Sequence, residues 1–372
     1  MAEPLVSGEP ARHRRLELLD VLRFVAALMV VCFHWLFNGI SNGKIDSVPF
    51  TPLAPIAVYG LYGVHLFFLI SGFVIAESAR GKSSGQFVVS RGVRLFPAYW
   101  AAMLATTVVV NAWGTTELHV SVGQFLANLT MVPSLFKQPA VDGVYWTLTI
   151  ELTFYLLVLV ILLLGQGRHL DSVFPVWAVL MLLVLMFAPH VSSLPYLGGY
   201  YAFFASGAII ATIRRRGFSL LRALGLSAAM ITAFTFVGRN LIDFNDAHVF
   251  RASPVVVFGL IAGFYVALCL LWIPRVGTLT IPLSRPVSDL TYPIYLLHAH
   301  IGYTVLQQLG TASDLWLVYP LMLIGLMIAA WLLHWCVEVK GKSFLYRGFG
   351  MLRRPFDSVQ RTMDRFALRW TT

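Results

Sequence analysis

Long apolar stretches separated by short polar ones dominate the chain. A bilayer core is about 30 Å thick, so a helix needs roughly 20 mostly apolar residues to cross it. Ten stretches qualify: residues 18–38, 56–77, 96–114, 145–165, 172–188, 197–213, 219–237, 253–272, 290–309 and 316–336. They are continuous, unlike the short alternating segments of a β-barrel. The pattern therefore predicts an all-α, polytopic membrane helix bundle with about ten transmembrane helices.

The composition supports a membrane protein and excludes several other classes. Hydrophobic residues make up 58% of the 372 residues and charged residues only 12%, whereas soluble domains average about 25% charged residues. The three cysteines, Cys32, Cys269 and Cys336, lie in apolar stretches without metal-ligand spacing, so neither a disulfide framework nor a zinc site is indicated. We expect an integral, multi-pass protein whose first partner is the lipid bilayer.

Basic residues alternate in density from one connecting segment to the next. With the N-terminus inside, 22 of the 27 Lys and Arg residues fall on the inner side and four on the outer side. This distribution follows the positive-inside rule, so both termini are predicted to be cytoplasmic, and the net charge of +10 does not indicate nucleic-acid binding. We divide the chain into a cytoplasmic tail (1–17), a membrane domain (18–338) and a basic, amphipathic C-terminal tail (339–372) expected to lie on the inner leaflet.

Ionisable residues within membrane spans are costly and indicate function. Asp20, Arg23 and His34 occupy the first span. At about 100° per residue, Arg23 and His34 differ by only about 20° in azimuth, and they are separated by roughly 16 Å along the axis. All three therefore form one polar stripe, as expected of a helix that lines a channel or a cleft.

A second group of polar residues is expected at the depth of His34. Glu151 is predicted to lie roughly 9 Å below the outer surface, where it could orient His34 and stabilise its protonated form, as the Asp of a catalytic triad does. Tyr155 lies one turn from Glu151, and Tyr295 and His298 share a face of the ninth span. On one continuous helix His298 and His300 would be about 200° apart, which argues against a metal site there.

Arg91 and Arg94 lie in the segment after the second span, which we expect to be a cytoplasmic loop. Two arginines at this spacing can hold phosphate groups through bidentate hydrogen bonds. They are also the residues that the positive-inside rule places in any inner loop. From the residues alone, the second interpretation is slightly favoured.

Five short motifs follow one another along the chain. They are Arg23 with His34; Gly63-Val64-His65-Leu66-Phe67-Phe68-Leu69-Ile70-Ser71-Gly72-Phe73; Arg91, Arg94, Leu95 and Pro97; Trp146, Leu148, Glu151, Phe154 and Tyr155; and Thr291, Tyr292, Tyr295 and His298. In this order they resemble the motifs of the acyltransferase-3 family, membrane O-acyltransferases that are mostly bacterial and acylate glycans. Thr291 stands where the family usually has Ser, and His65 interrupts its Phe-rich motif.

The resemblance implies an acyl-CoA donor, most simply acetyl-CoA, as a substrate and not a permanently bound cofactor. It also implies an acceptor hydroxyl on a glycan or a lipid-linked sugar, and a location in the bacterial inner membrane. His34 would be the general base and Glu151 its partner. Arg23, Arg91 and Arg94 would bind the donor. The residues expected to line the substrate site are Asp20, Ser71, Trp146, Tyr155, Tyr295 and His298, with no metal.

Two other functions fit the same pattern. Polar stripes also suit a transporter or a flippase, although the chain shows no inverted repeat of interrupted helices. A non-catalytic assembly partner could keep the fold, but it would not need His34 and Glu151. Neither the acyl group, the acceptor nor the oligomeric state follows from the sequence, and direct transfer and an acyl-His34 intermediate are both open.

Overall fold

The structure is a computed structural model that describes residues 15–369, and over these residues all regular secondary structure is helical. The main helices are α1 Glu17–Ser41, α2 Ala54–Ser78, α3 Ser84–Trp113, α4 Gly143–Leu163, α5 Gln166–Phe187, α6 Tyr201–Arg216, α7 Leu220–Ala247, α8 Pro254–Trp272, α9 Ser284–Leu297, α10 His300–Leu309, α11 Leu315–Lys340, α12 Lys342–Gly350 and α13 Arg353–Arg369. The chain is thus an all-α polytopic bundle. Residues 1–14 of the predicted N-terminal tail lie outside the described part.

Eight of these helices in the described residues are long and apolar enough to cross a membrane. The two remaining predicted spans have a different form. The sixth is α6, a 16-residue helix whose first 13 residues are all buried inside the bundle. The ninth is divided into α9 and α10. Both elements are shorter than a single membrane-crossing helix, since α6 has 16 residues, α9 has 14 and α10 has 10.

The start of helix α3 differs from the predicted start of the third span. The helix begins at Ser84, not near residue 96, because the Ser83 side chain caps the backbone of Gln86 while the Gln86 side chain returns a bond to Ser83. Arg91 and Arg94 therefore lie inside a 30-residue helix and not in a loop. At a spacing of three residues they project from one face of α3.

Helices α2 and α6 cross in backbone contact. A Cβ atom added at Gly207 would lie 1.9 Å from the carbonyl oxygen of Leu69, and one added at Gly72 would lie 2.0 Å from that of Phe204. Small residues permit such crossings within membranes. This crossing holds α2, which carries Ser71, against the centre of the bundle.

Replacement of Gly207 by alanine is expected to destabilise the protein, since the new methyl group meets backbone that no side-chain rotation can move. We expect a loss of about 1–3 kcal/mol or more, seen as a fall in the apparent Tm of the detergent-solubilised protein. The matched control is Gly263→Ala in α8, where an added Cβ meets nothing within 4 Å. Equal Tm values for the two variants would contradict the close crossing.

The break between α9 and α10 is stabilised by side chains from elsewhere in the bundle. The indole N–H of Trp35 donates to the carbonyl oxygen of His298 over 2.7 Å, and the amide of His300 donates to the Asp142 carboxylate over 2.8 Å. Because apolar surroundings offer no water to unpaired backbone groups, a broken helix needs such partners. A Cβ at Gly302 would lie 2.1 Å from the Trp35 indole nitrogen, so only glycine admits this contact.

The C-terminal tail packs against the helix bundle. The sequence predicted only that this tail would lie on the inner leaflet, and it did not predict contacts with the bundle. Helix α12 packs against α3, and α13 packs against both α3 and α4. The first residues of α3 bond to α13: the Ser84 amide donates to Gln360, and the Gly85 amide donates to Asp357. Phe349 of α12 fills the space beside Gly92. The tail thus holds the end of α3 that carries Arg91 and Arg94.

Candidate active site

Three neighbouring cavities lie along the polar face of α1. The basic vestibule has an empty volume of about 2500 Å³ and is lined by Arg15, Arg80, Lys82, Arg91, Arg94, Arg214 and Arg285, among others. The central cavity, about 810 Å³, shares Arg23, Arg91 and Arg94 with the vestibule. The His34 cavity, about 940 Å³, shares Val64 and Tyr295 with the central cavity. Shared walls make the three a single series, with the arginines at one end and His34 at the other.

Three arginines stand where the vestibule meets the central cavity. Arg23 forms no hydrogen bond or ion pair with any residue that the structure describes. The Arg91 guanidinium lies 5.8 Å from the centre of the Tyr155 ring, and that of Arg94 lies 5.5 Å from the Tyr292 ring. Arg94 forms an ion pair with Glu338 at 3.6 Å, and Nε of Arg91 donates to the Ser90 hydroxyl over 3.4 Å. Most of the hydrogen-bonding capacity of the three guanidinium groups is therefore free for an anion.

His34 begins a π-helical turn, His34–Asn38, near the end of α1. Such turns are frequent at functional sites because they re-aim side chains. The Nδ1 atom of His34 hydrogen-bonds the buried hydroxyl of Tyr303, and the Asn38 amide donates to the same hydroxyl over 2.9 Å. The His34 ring lies 5.0 Å from that of His298, centre to centre. Its Nε2 atom forms no hydrogen bond with the described residues.

Glu151 is not beside His34, which corrects the predicted contact. It lines the central cavity, where its carboxylate accepts hydrogen bonds from Ser71 over 3.1 Å and from Tyr155. Thr147, one turn earlier on α4, occupies the level of Tyr295, and their hydroxyl groups are 2.7 Å apart. Glu151, one turn further along α4, lines the central cavity and not the His34 cavity. Tyr303, not Glu151, is the partner of the imidazole.

The other predicted residues are distributed along the same series. Asp20 lines the vestibule, but its carboxylate is occupied by Arg15 at 2.5 Å and by Ser288 at 2.8 Å. Trp146 lines the His34 cavity, and Tyr295 lines both inner cavities. Each carboxylate oxygen of Asp20 therefore already has one partner.

The relative orientation of His298 and His300 differs from the expected one, because the helix breaks between these two residues. His298 is fully buried, its Nδ1 atom lies 2.7 Å from the carbonyl oxygen of Tyr295, and its Nε2 atom has no partner among the described residues. His300 contacts the Lys44 ammonium over 3.3 Å and lines the His34 cavity. The azimuth argument for one continuous helix is therefore wrong. Within the described residues, no group of three or more His, Cys, Asp or Glu residues is placed to hold a metal ion.

Sequence reasoning missed three residues near His34: Asn38, Lys44 and Tyr303. Asn38 carried a signal, because it follows His34 by four residues and so shares its helix face. Lys44 and Tyr303 carried none. Lys44 was counted only as a charge in an outer loop. Tyr303 lies on α10, and its hydrogen bond with His34 depends on the packing of α10 against the end of α1.

Comparison with known proteins assigns the chain to a family. The family described as "Acyltransferase domain", acyltransferase-3, matches residues 16–335. Nodulation protein 10 of Rhizobium leguminosarum bv. viciae is 26% identical over 84% of this chain and 90% of its own. The putative peptidoglycan O-acetyltransferase YrhL of Bacillus subtilis is 25% identical over 81% of this chain and 47% of its own. The exopolysaccharide production protein ExoZ of Rhizobium meliloti is 25% identical over 68% of this chain and 79% of its own.

No solved structure matches the chain. The match to the family covers all five motifs and every residue that lines the central cavity and the His34 cavity. It also decides between the enzyme and the transporter or assembly partner. The chain belongs to the acyltransferase-3 family and is a multi-pass membrane O-acyltransferase.

Proposed function

We propose that the enzyme moves an acyl group, most simply acetyl, from cytoplasmic acyl-CoA to a hydroxyl of a glycan or lipid-linked sugar in the bacterial inner membrane. The single observation that carries the proposal is the series of adjoining cavities with three arginine side chains at one end and an imidazole at the other. The names of the relatives, a putative peptidoglycan O-acetyltransferase and an exopolysaccharide production protein, support the class of acceptor. The positive-inside distribution of charge supports a cytoplasmic vestibule.

The donor would enter through the vestibule with its phosphates against Arg23, Arg91 and Arg94. Planar guanidinium groups bind phosphate oxygens in pairs, which fixes the donor as well as attracting it. The pantetheine arm would then extend through the central cavity. There the Glu151 carboxylate is available to accept a hydrogen bond from an amide N–H of the arm, while Ser71 and Tyr155 hold the carboxylate in place.

Transfer would take place in the His34 cavity. Nε2 of His34 takes the proton of the acceptor hydroxyl as the oxygen attacks the thioester carbonyl. The C–O bond forms, the C–S bond breaks, and the departing CoA thiolate recovers the proton from the imidazolium. For this role Nδ1 must carry a hydrogen and donate it to the Tyr303 oxygen, which also accepts from the Asn38 amide. An acyl-His34 intermediate would use the same two ring nitrogens, and both routes stay open.

Sealed membrane vesicles of known orientation test the proposal. Acetyl-CoA carrying a radiolabelled acetyl group is added outside vesicles from cells that make the protein, which contain the native acceptor. Inverted vesicles expose the cytoplasmic face, so we expect them to incorporate label and release thiol, whereas right-side-out vesicles do neither until permeabilised.

Vesicles from cells that lack the gene provide the background in this experiment. Incorporation by intact right-side-out vesicles alone would overturn both the orientation and the donor path. Absence of gene-dependent thiol release from permeabilised vesicles would overturn acyl-CoA as the donor.

A further inference from the structure

A fourth cavity, which we call the side cavity, opens beside the basic vestibule. Its empty volume is about 960 Å³, and Arg80 and Lys82 line both it and the vestibule. Its far wall contains Arg168 and Arg216, and the C-terminal helix α13 closes it with Gln360 and Asp364. The side cavity and the vestibule therefore adjoin at the short link between α2 and α3.

One carboxylate, that of Asp171, holds the arginine side chains at this cavity in position. Asp171 pairs with Arg80 at 3.0 Å, with Arg216 at 2.7 Å and with Arg215. Because Arg215 also pairs with Glu77, two carboxylates face three guanidinium groups, and each of Arg80 and Arg216 keeps donors that Asp171 does not use. The arrangement orders the guanidinium groups without neutralising them.

Lys82 is the cation between the two cavities. It is half-buried, and its ammonium group forms no ion pair or hydrogen bond with any residue that the structure describes. Burial lowers the pKa of Lys82, and the nearby positive charge of Arg91 lowers it further. A partly desolvated ammonium group beside like charge is destabilised unless an anion joins it, so this position fits a bound anion.

We propose that the side cavity binds the 3′-phosphate of the acyl-CoA donor, with Lys82 as its principal contact and Arg80 and Arg216 behind it. This inference rests on the proposed function. Coenzyme A carries two anionic groups, the pyrophosphate and the 3′-phosphate, on opposite sides of a ribose. Arg23, Arg91 and Arg94 suit the first, and a distinct basic cavity joined to theirs suits the second.

Acetyl-CoA and acetyl-dephospho-CoA, which lacks only the 3′-phosphate, provide the test with purified enzyme in nanodiscs. Thiol release in the presence of native acceptor extract is measured against the concentration of each donor. We expect a KM about tenfold or more higher for acetyl-dephospho-CoA, as for the loss of a charge-assisted contact. Lys82→Met should raise the KM for acetyl-CoA to a similar extent and leave that for acetyl-dephospho-CoA unchanged.

Lys340→Met is the matched control, since it removes the same charge from an exposed lysine of α11 that lines neither cavity. It should leave both KM values unchanged. Equal use of the two donors by the wild-type enzyme would overturn the inference and spare the proposed function. That result is expected if the side cavity holds a lipid phosphate instead. Failure of both donors would overturn both proposals.

A binding measurement covers the case in which Lys82→Met does not fold. Adenosine 3′,5′-bisphosphate should compete with acetyl-CoA at about tenfold lower concentration than adenosine 5′-monophosphate does, in the wild-type enzyme. Equal competition by the two nucleotides would contradict a 3′-phosphate site.

Discussion

Replacement of His34 by alanine is expected to lower the rate of acyl transfer by about 10²–10⁴-fold, the usual contribution of a general base. The side chain lines a cavity and its hydrogen-bond partner across the bundle is a single residue, Tyr303, so the fold should survive. The donor KM should barely change, because the arginines lie at the other end of the series. The measurement is acetyl transfer and thiol release by protein matched for expression and Tm.

Two further variants separate catalysis from packing at this site. His119→Ala, outside the described cavities, should keep full activity. Tyr303→Phe keeps the ring and removes the oxygen that accepts from Nδ1, so kcat should fall by about tenfold or more while the donor KM stays constant. Near wild-type turnover in His34→Ala would refute the general base and the acyl-His34 intermediate alike.

Hydrophobic pattern alone predicted the class of fold, because apolar length is the dominant constraint on a membrane helix. It did not predict the features that neighbouring helices determine. Helix α6 has only 16 residues, and its first 13 residues are buried inside the bundle. The break after Leu297 depends on Trp35 and Asp142, which are distant in sequence. The start of α3 was the exception, since the Ser83 and Gln86 capping signal was present in the chain and was overlooked.

Helix arithmetic placed Arg23 and His34 on one face of α1, and both line the series of cavities. It placed Glu151 wrongly, because a depth inferred from one helix cannot fix the level of a residue on another to within a turn. It could not identify Tyr303, because the hydrogen bond between Tyr303 and His34 depends on how α10 packs against α1. Position within a helix is a local property, whereas pairing between helices is a property of the whole bundle.

Exchange of Arg91 and Arg94 for lysine is expected to raise the KM for acetyl-CoA by about tenfold or more. Lysine keeps the charge but loses the planar pair of donors that a phosphate group engages. The acceptor KM and the topology should not change, because the number of positive charges on that side stays the same. Initial rates at varied donor and acceptor concentrations supply the two KM values.

The same double variant distinguishes donor binding from topology, the two interpretations that the sequence left open. Arg222→Lys is the matched control, because Arg222 is partly exposed, bonds only backbone carbonyls through its guanidinium, and lines none of the four cavities. If Arg91 and Arg94 hold the pyrophosphate, the KM for acetyl-dephospho-CoA should rise by the same factor as that for acetyl-CoA, in contrast to Lys82→Met. An unchanged donor KM would mean that the two arginines serve orientation alone, since lysine satisfies the positive-inside rule equally well.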